Sequence, residues 1–249
     1  MDSYEIFLRE RIEIGAGRVA KVYAYGGYAY KCFAEGYPGE WIDFEYGLQQ
    51  EVAKSGLPVP HYYRSEFPHS IKMDLIEGVS MLDRLAIDGE DAVMAEMMVW
   101  FEKIHETKGL KLASLSEHIA EEIGKAPVSG EQRDFARQCC AEVDDEISEP
   151  DALCHMDYHF LNVMYSGNDV RIIDWMNAKN GKPIWDYART YVIFCEHLAG
   201  MKDMYLEKVL AKYPKAAFMK AAFVSAICRL NEHDTEQVRR LIEELSPEK

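Results

Sequence analysis

The sequence predicts an α+β chain built as a small antiparallel sheet with one helix, followed by a larger and mainly helical segment. Three observations predict it. Residues 9–33 alternate apolar and polar side chains around Gly26-Gly27, one helical stretch lies near 41–54, and beyond Gly78 apolar residues recur at helical spacing. In order, Tyr25-Gly26-Gly27-Tyr28 reads as a two-residue hairpin turn, the pair of glycines supplying the positive φ that such turns need. From about Trp41 to Lys54, the apolar stripe Trp41, Phe44, Leu48 and Val52 marks an amphipathic helix, stopped by Gly56, Pro58 and Pro60. Short strands follow at 61–64 and 70–76, until Glu77-Gly78 breaks the pattern. The reading therefore places a first lobe at 1–77 and a second at 78–249. In the second, the helical stretches begin at Ala92, Gly130 and Pro183 and fill the last forty residues. They are interrupted between Leu153 and Trp175 by the strand-like runs ALCH, NVMY and VRIID.

Composition narrows the function. The 249 residues are 48% hydrophobic and 29% charged, which excludes disordered and fibrous classes, and the net charge of −15 argues against nucleic acid and acidic membranes as partners. The acidic N-terminal stretch and the lack of a long apolar run predict a cytoplasmic chain without a membrane anchor. The cysteines Cys32, Cys139, Cys140, Cys154, Cys195 and Cys228 contain no C-x-x-C pair, so neither a disulfide framework nor a zinc site is expected.

The chemistry concentrates in CHMDYHFLNVMY and VRIIDWMNA. Asp157, Asn162 and Asp174 follow one another at separations of five and twelve residues. Oxygen side chains of this kind suit a hard cation: Asn162 and Asp174 are able to hold magnesium against a nucleotide, leaving Asp157 to orient a hydroxyl and take its proton. Taken one at a time, such residues are as well explained as loop caps; their joint spacing favours chemistry. Upstream, Gly15 and Gly17 lie between two strand-like runs, a turn whose N–H groups can cover phosphates. Lys31, set in YAYKCF, calls for an anionic partner, which a carboxylate on the next helix would supply.

The string His155-Met-Asp-Tyr-His-Phe-Leu-Asn162, followed by Ile-Ile-Asp174-Trp, resembles the H-G-D-x-x-x-x-N and I-D-W signatures of aminoglycoside phosphotransferase and choline kinase-like enzymes, which share the protein-kinase-like fold. The resemblance spans nearly the whole chain: IGAGRVAKVY is similar to the Gly-rich loop, YAYK to the V-A-I-K strand, IKMDLIEG to the hinge, FEKIHE to the L-H helix end and GKPIWDYART to the G-x-P-x-x-D-x-A run. It implies ATP and Mg2+ as cofactors and a small-molecule hydroxyl acceptor, cationic ones included. In this reading Asp157 is the catalytic base, Asn162 and Asp174 bind the metal, and Lys31 contacts the α- and β-phosphates. Glu45, preferred over Glu51, pairs with Lys31. Met73 backs the adenine, and the main chain of Asp74 and Ile76 hydrogen-bonds it. His155 and Asp186 are structural supports.

Three departures from the family pattern stand out: Met156 replaces the glycine of H-G-D, Ala20 the third glycine of the loop, and Asn177 a common Glu. Tyr158, Trp175 and Asn177 are the expected lining of the acceptor pocket, whereas Glu232, Asp234 and Glu236, which would meet a cationic acceptor in antibiotic kinases, are better explained as a solvated helix face. A peptide acceptor is disfavoured, because only eleven residues separate Asp174 from Asp186. Two rivals stay open at this stage: a nucleotide-binding pseudokinase or regulatory protein without turnover, for which Met156 is the best support, and a metal-dependent hydrolase on another fold, which leaves Lys31, Gly15 and Gly17 unexplained.

Overall fold

The computed structural model describes residues 2–17 and 19–246. Along the chain run α1 (Ser3–Glu10), β1 (Ile12–Ala16), β2 (Ala20–Tyr25), β3 (Tyr28–Phe33), α2 (Gly39–Val52), β4 (Tyr62–Arg64), β5 (Ser70–Asp74), β6 (Val79–Ser80), α3 (Met81–Asp88) and α4 (Glu90–Glu106). There follow α5 (Leu115–Lys125), α6 (Gly130–Glu146), β7 (Ala152–Cys154), β8 (Val163–Ser166), β9 (Asp169–Ile172), β10 (Lys179–Gly181), α7 (Pro183–His197), α8 (Lys202–Leu210), α9 (Lys215–Arg229) and α10 (Glu236–Leu245). The elements gather into two units. One holds the chain up to residue 83 together with 161–176; the other holds 84–160 together with the chain from 177 onward.

In the first unit, five antiparallel strands are ordered β1-β2-β3-β5-β4. The β2–β3 hairpin turns on Gly26 and Gly27, at φ 57° and 81°, a conformation in which any side chain is strained. Strand alternation then sorts the two faces. Phe33 and Ile71 join Ala20 and Tyr62 in one cluster, with Ile42 and Tyr46 of α2 packed on it. Tyr30 on the other face stacks into an aromatic cluster with Phe7 of α1 and with Phe67.

Two features depart from the sequence reading. The stretch treated only as evidence against a signal peptide folds as α1, started by a capping box in which Asp2 and Glu5 satisfy each other's main-chain N–H groups. And α2 turns Glu45, Gln49 and Val52 inward, while Trp41 and Phe44 of the predicted stripe are half-exposed. The reason is polar: Glu45 meets Lys31, and Gln49 Nε2 donates to Pro60 O at 2.7 Å.

Residues 161–176 fold with the first unit through β8, which pairs with β6 and β9, and through Ile172 N–H, which donates to Pro58 O at 2.8 Å. In the second unit, α7 is buried along nearly its whole length and packs on α9, while β10 pairs with β7 just ahead of His155. Among the described residues, no helix is long and apolar enough to cross a membrane.

Candidate active site

The first group of candidate residues is built around β3. Lys31 lies two residues before Phe33, so strand alternation turns it to the α2 face of the sheet. There its Nζ donates to Glu45 Oε1 at 2.6 Å and lies 3.9 Å from Asp174 Oδ1. Glu45 is almost fully buried, whereas Glu51, six residues on, bonds Lys54 just past the end of α2. Burial disfavours the Lys31 ammonium, but the Asp174 and Glu45 carboxylates outweigh it and hold the pKa above the usual lysine value.

Asn162 and Asp174 flank one β-hairpin. β8 and β9 pair from Val163↔Ile172 to Ser166↔Asp169 around Gly167 at φ 61°, and Ile173 N–H donates to Asn162 O at 2.9 Å. A separation of twelve in sequence thus returns the two residues to the same end of the hairpin. Asp174 sits at φ 62°, a left-handed conformation that Asp tolerates better than most residues. Asn162 is buried, and the Asp174 side chain is 47% exposed.

The loop carrying Asp157 belongs to the second unit and is held by Asp186. That carboxylate is fully buried and accepts from His155 N–H and Met156 N–H, both at 2.7 Å, with His105 Nε2 3.0 Å away. His155 is also fully buried, and its Nδ1 accepts from Asp157 N–H at 3.3 Å. Burial would raise the Asp157 pKa. The neighbouring His159 ring, with Nε2 3.8 Å from Oδ2, and the charge of Arg189 overcome this and hold it well below the usual carboxylate range.

Met156 occupies the position that the family pattern gives to glycine, and it does so at φ 63°. A side chain there strains the backbone, whereas glycine adopts the conformation freely. Met156→Gly is therefore expected to stabilise the protein by about 1 kcal/mol, the relief of strain exceeding the added freedom of the unfolded chain. Urea denaturation checks this, and a destabilised variant would show that Met156 packing outweighs the strain.

Around the expected nucleotide site, Met73 is half-buried against the cluster that also contains Phe33 and Ile71. Asp74 ends β5, its N–H donating to His61 O at 3.1 Å, and Ile76 lies half-buried two residues on. Gly15 is within β1, paired with Val22, and Gly17 begins the turn, its N–H donating to Ala20 O at 2.8 Å. Neither takes a positive φ, and an added Cβ would meet nothing closer than 3.7 Å at Gly15 or 3.6 Å at Gly17. Arg18 of the same loop lies outside the described residues.

The acceptor expectations fare differently. Tyr158 and Trp175 are fully packed inside, the first donating to Met97 O at 3.2 Å and the second to Ile172 O at 2.9 Å, so neither offers a pocket surface; Asn177 is exposed. Each of the three acids weighed against a cationic acceptor already has an arginine: Glu232 has Arg189 at 2.5 Å, Asp234 has Arg239 at 2.6 Å and Glu236 has Arg240 at 3.0 Å. The sequence reading missed His105 and Arg189 as side chains acting on the Asp157 loop. His105 was within sight, since it lies in the FEKIHE run, whereas nothing local marks Arg189.

Comparison with solved structures agrees with this architecture. A thermostable mutant of aminoglycoside phosphotransferase APH(4)-Ia, in ternary complex with AMP-PNP and hygromycin B, superposes with a TM-score of 0.67 at 16% identity, covering 98% of this chain and 97% of that one. Choline kinase LicA from Streptococcus pneumoniae gives 0.65 at 14% identity, covering 97% and 96%. The streptomycin-ATP-APH(2")-IIa ternary complex gives 0.63 at 16% identity, covering 98% and 96%. These likenesses establish a protein-kinase-like fold. No curated protein matches the chain. The model of the phosphotransferase enzyme family matches residues 26–219, well over half of the chain. With that match added to the fold, the chain belongs to the phosphotransferase enzyme family.

Proposed function

We propose that the protein is an ATP-dependent small-molecule kinase that transfers the γ-phosphoryl group to an acceptor hydroxyl. The observation that carries this reading is Lys31, bonded to Glu45 at 2.6 Å and 3.9 Å from Asp174, which sets an ammonium between a buried anchor and a half-exposed carboxylate. A lysine so fixed is ready to meet the α- and β-phosphates. Gly15 and Gly17 support the same reading. With no side chain at either position, the backbone of this turn is left open to approaching phosphates.

A carboxylate and a carboxamide at one end of a hairpin form a hard oxygen donor set, which fits Mg2+, and Asn162 and Asp174 would hold it. Bound there, the ion would neutralise charge on the phosphate oxygens. Asp157 orients the acceptor hydroxyl; its oxygen forms the new bond to Pγ, the bond from Pγ to the β,γ-bridging oxygen breaks, the hydroxyl proton passes to the Asp157 carboxylate, and ADP leaves. His155 and Asp186 keep the loop in place. Structural neighbours crystallised with hygromycin B and streptomycin support a small polyhydroxyl compound as acceptor. The arginine pairing of Glu232, Asp234 and Glu236 removes one argument for a strongly cationic one. A cytoplasmic setting, where ATP and Mg2+ are at hand, suits the six free cysteines.

The test is phosphoryl transfer from ATP and Mg2+ to aminoglycosides, choline-like amines, sugars and hydroxy amino acids. An acceptor-dependent product establishes the kinase; tight ATP binding without transfer to any acceptor selects the regulatory alternative. Asp174→Ala is expected to weaken Mg2+-dependent ATP binding by roughly two orders of magnitude, as befits a lost ligand to a divalent cation. Equal affinity of wild type and variant in the presence of Mg2+ would remove Asp174 from the metal site.

A further inference from the structure

The end of β5 is built so that one main-chain acceptor is kept out of the sheet. Phe33 N–H donates to His69 O at 2.9 Å, which makes that a bonded pair. Stepping two residues at a time along the register, Lys31↔Ile71 and Ala29↔Met73 are bonded pairs, and Tyr28↔Asp74 is a wide one. The main-chain groups of Asp74 therefore turn away from β3, toward the β4 side. There Asp74 N–H donates to His61 O at 3.1 Å. The bond that would complete this pair, from His61 N–H to the Asp74 carbonyl, is not made. His61 N–H donates instead to the Asp74 side chain, at Oδ2, at 2.9 Å. Tyr63 OH, donating to Oδ1 at 2.9 Å, and His61 Nδ1, 2.9 Å from Oδ2, fix the carboxylate in that place.

We propose that the Asp74 side chain is a positioning residue that sets base preference: by capturing His61 N–H it keeps the Asp74 carbonyl open as an acceptor for the exocyclic amine of adenine. The inference rests on the nucleotide reading above and adds to it a reason for choosing ATP over GTP. Adenine presents an N–H donor at C6, which pairs with a carbonyl; guanine presents an oxygen there, which leaves two acceptors facing each other. If the carboxylate is removed, His61 N–H falls back to the Asp74 carbonyl, as in an ordinary ladder, and the acceptor is taken.

Calorimetric titration of the full chain with MgATP and MgGTP tests this in wild type, Asp74→Ala and Asp74→Asn. Wild type is expected to prefer ATP. Asp74→Ala should lower the ATP-to-GTP affinity ratio about five- to tenfold, the worth of one hydrogen bond, chiefly by weakening ATP. Asp74→Asn, whose amide oxygen still accepts from His61 N–H, should keep the preference. A merely structural effect on the hinge would weaken both nucleotides alike, since they share ribose and triphosphate. An unchanged ratio in Asp74→Ala, or an equal loss in Asp74→Asn, overturns the inference. Should Asp74→Ala not fold, wild type alone decides: purine riboside triphosphate, which lacks the 6-amino group, should bind about five- to tenfold more weakly than ATP, and equal binding overturns the inference. Binding of ATP and GTP with equal affinity by wild type overturns it while sparing the kinase reading; binding of neither removes that reading and the inference with it.

Discussion

Asp157→Asn is expected to lower kcat by about 10²- to 10⁴-fold while ATP affinity stays unchanged. The substitution keeps shape and polarity but removes the carboxylate proposed to receive the hydroxyl proton. Asp157 lies in a loop fixed at three main-chain points, His155 N–H and Met156 N–H to Asp186, and its own N–H to His155 Nδ1. The loop should therefore keep its form. The depressed pKa of Asp157 has a consequence that can be read in a pH profile. The group stays ionised well below the ordinary carboxylate range, so titration of Asp157 should add no acid limb to kcat near neutrality. By the same linkage, its charged form contributes stability above the unfolded-state pKa, and that contribution disappears as pH falls toward the depressed folded value. Stability of Asp157→Asn should thus fall less steeply with acid than that of wild type. Turnover at the wild-type rate in the variant would exclude Asp157 as base.

Asp186→Ala should have the largest effect on folding, a loss of about 3–5 kcal/mol. The carboxylate is fully buried and serves two main-chain donors at 2.7 Å and the His105 ring at 3.0 Å. Truncation leaves all of them without a partner in a site too enclosed for water to replace each bond. For a chain of this size that corresponds to a fall in melting temperature of roughly 10 °C. Asp186→Asn offers little relief, because its amide nitrogen would face a second donor. Thermal unfolding of both variants checks the expectation, and a loss below about 1 kcal/mol in Asp186→Ala would show that the clamp is not what holds the loop.

Much of this was legible in the sequence because it depends on local rules. Gly26-Gly27 dictates its hairpin, strand alternation sets Lys31 on the face of Phe33, and the order of Asp157, Asn162 and Asp174 resembles a known pattern. What escaped depends on long-range contact. Of the expected stripe on α2, Val52 is buried but Trp41 and Phe44 are half-exposed, since the helix also buries Glu45 for Lys31 and Gln49 for Pro60, partners that no hydrophobic periodicity can reveal. Tyr158 and Trp175 are adjacent in sequence to reactive groups, yet their rings are spent on packing. Met156 was visible as a departure, but its left-handed backbone was not. Arg189 influences Asp157 from α7, more than thirty residues on, and the sequence carries no sign of that approach.

The hairpin that returns Asn162 to Asp174 changes what their spacing means. Twelve residues is simply the length of this hairpin, and its tip at Gly167 lies at the opposite end from both side chains. Insertions at the tip would lengthen the interval without separating the two side chains, provided the Val163↔Ile172 register is kept. A slip of one residue would preserve the interval and turn the two side chains to opposite faces. A search for relatives should therefore let the gap vary and hold the strand phase constant.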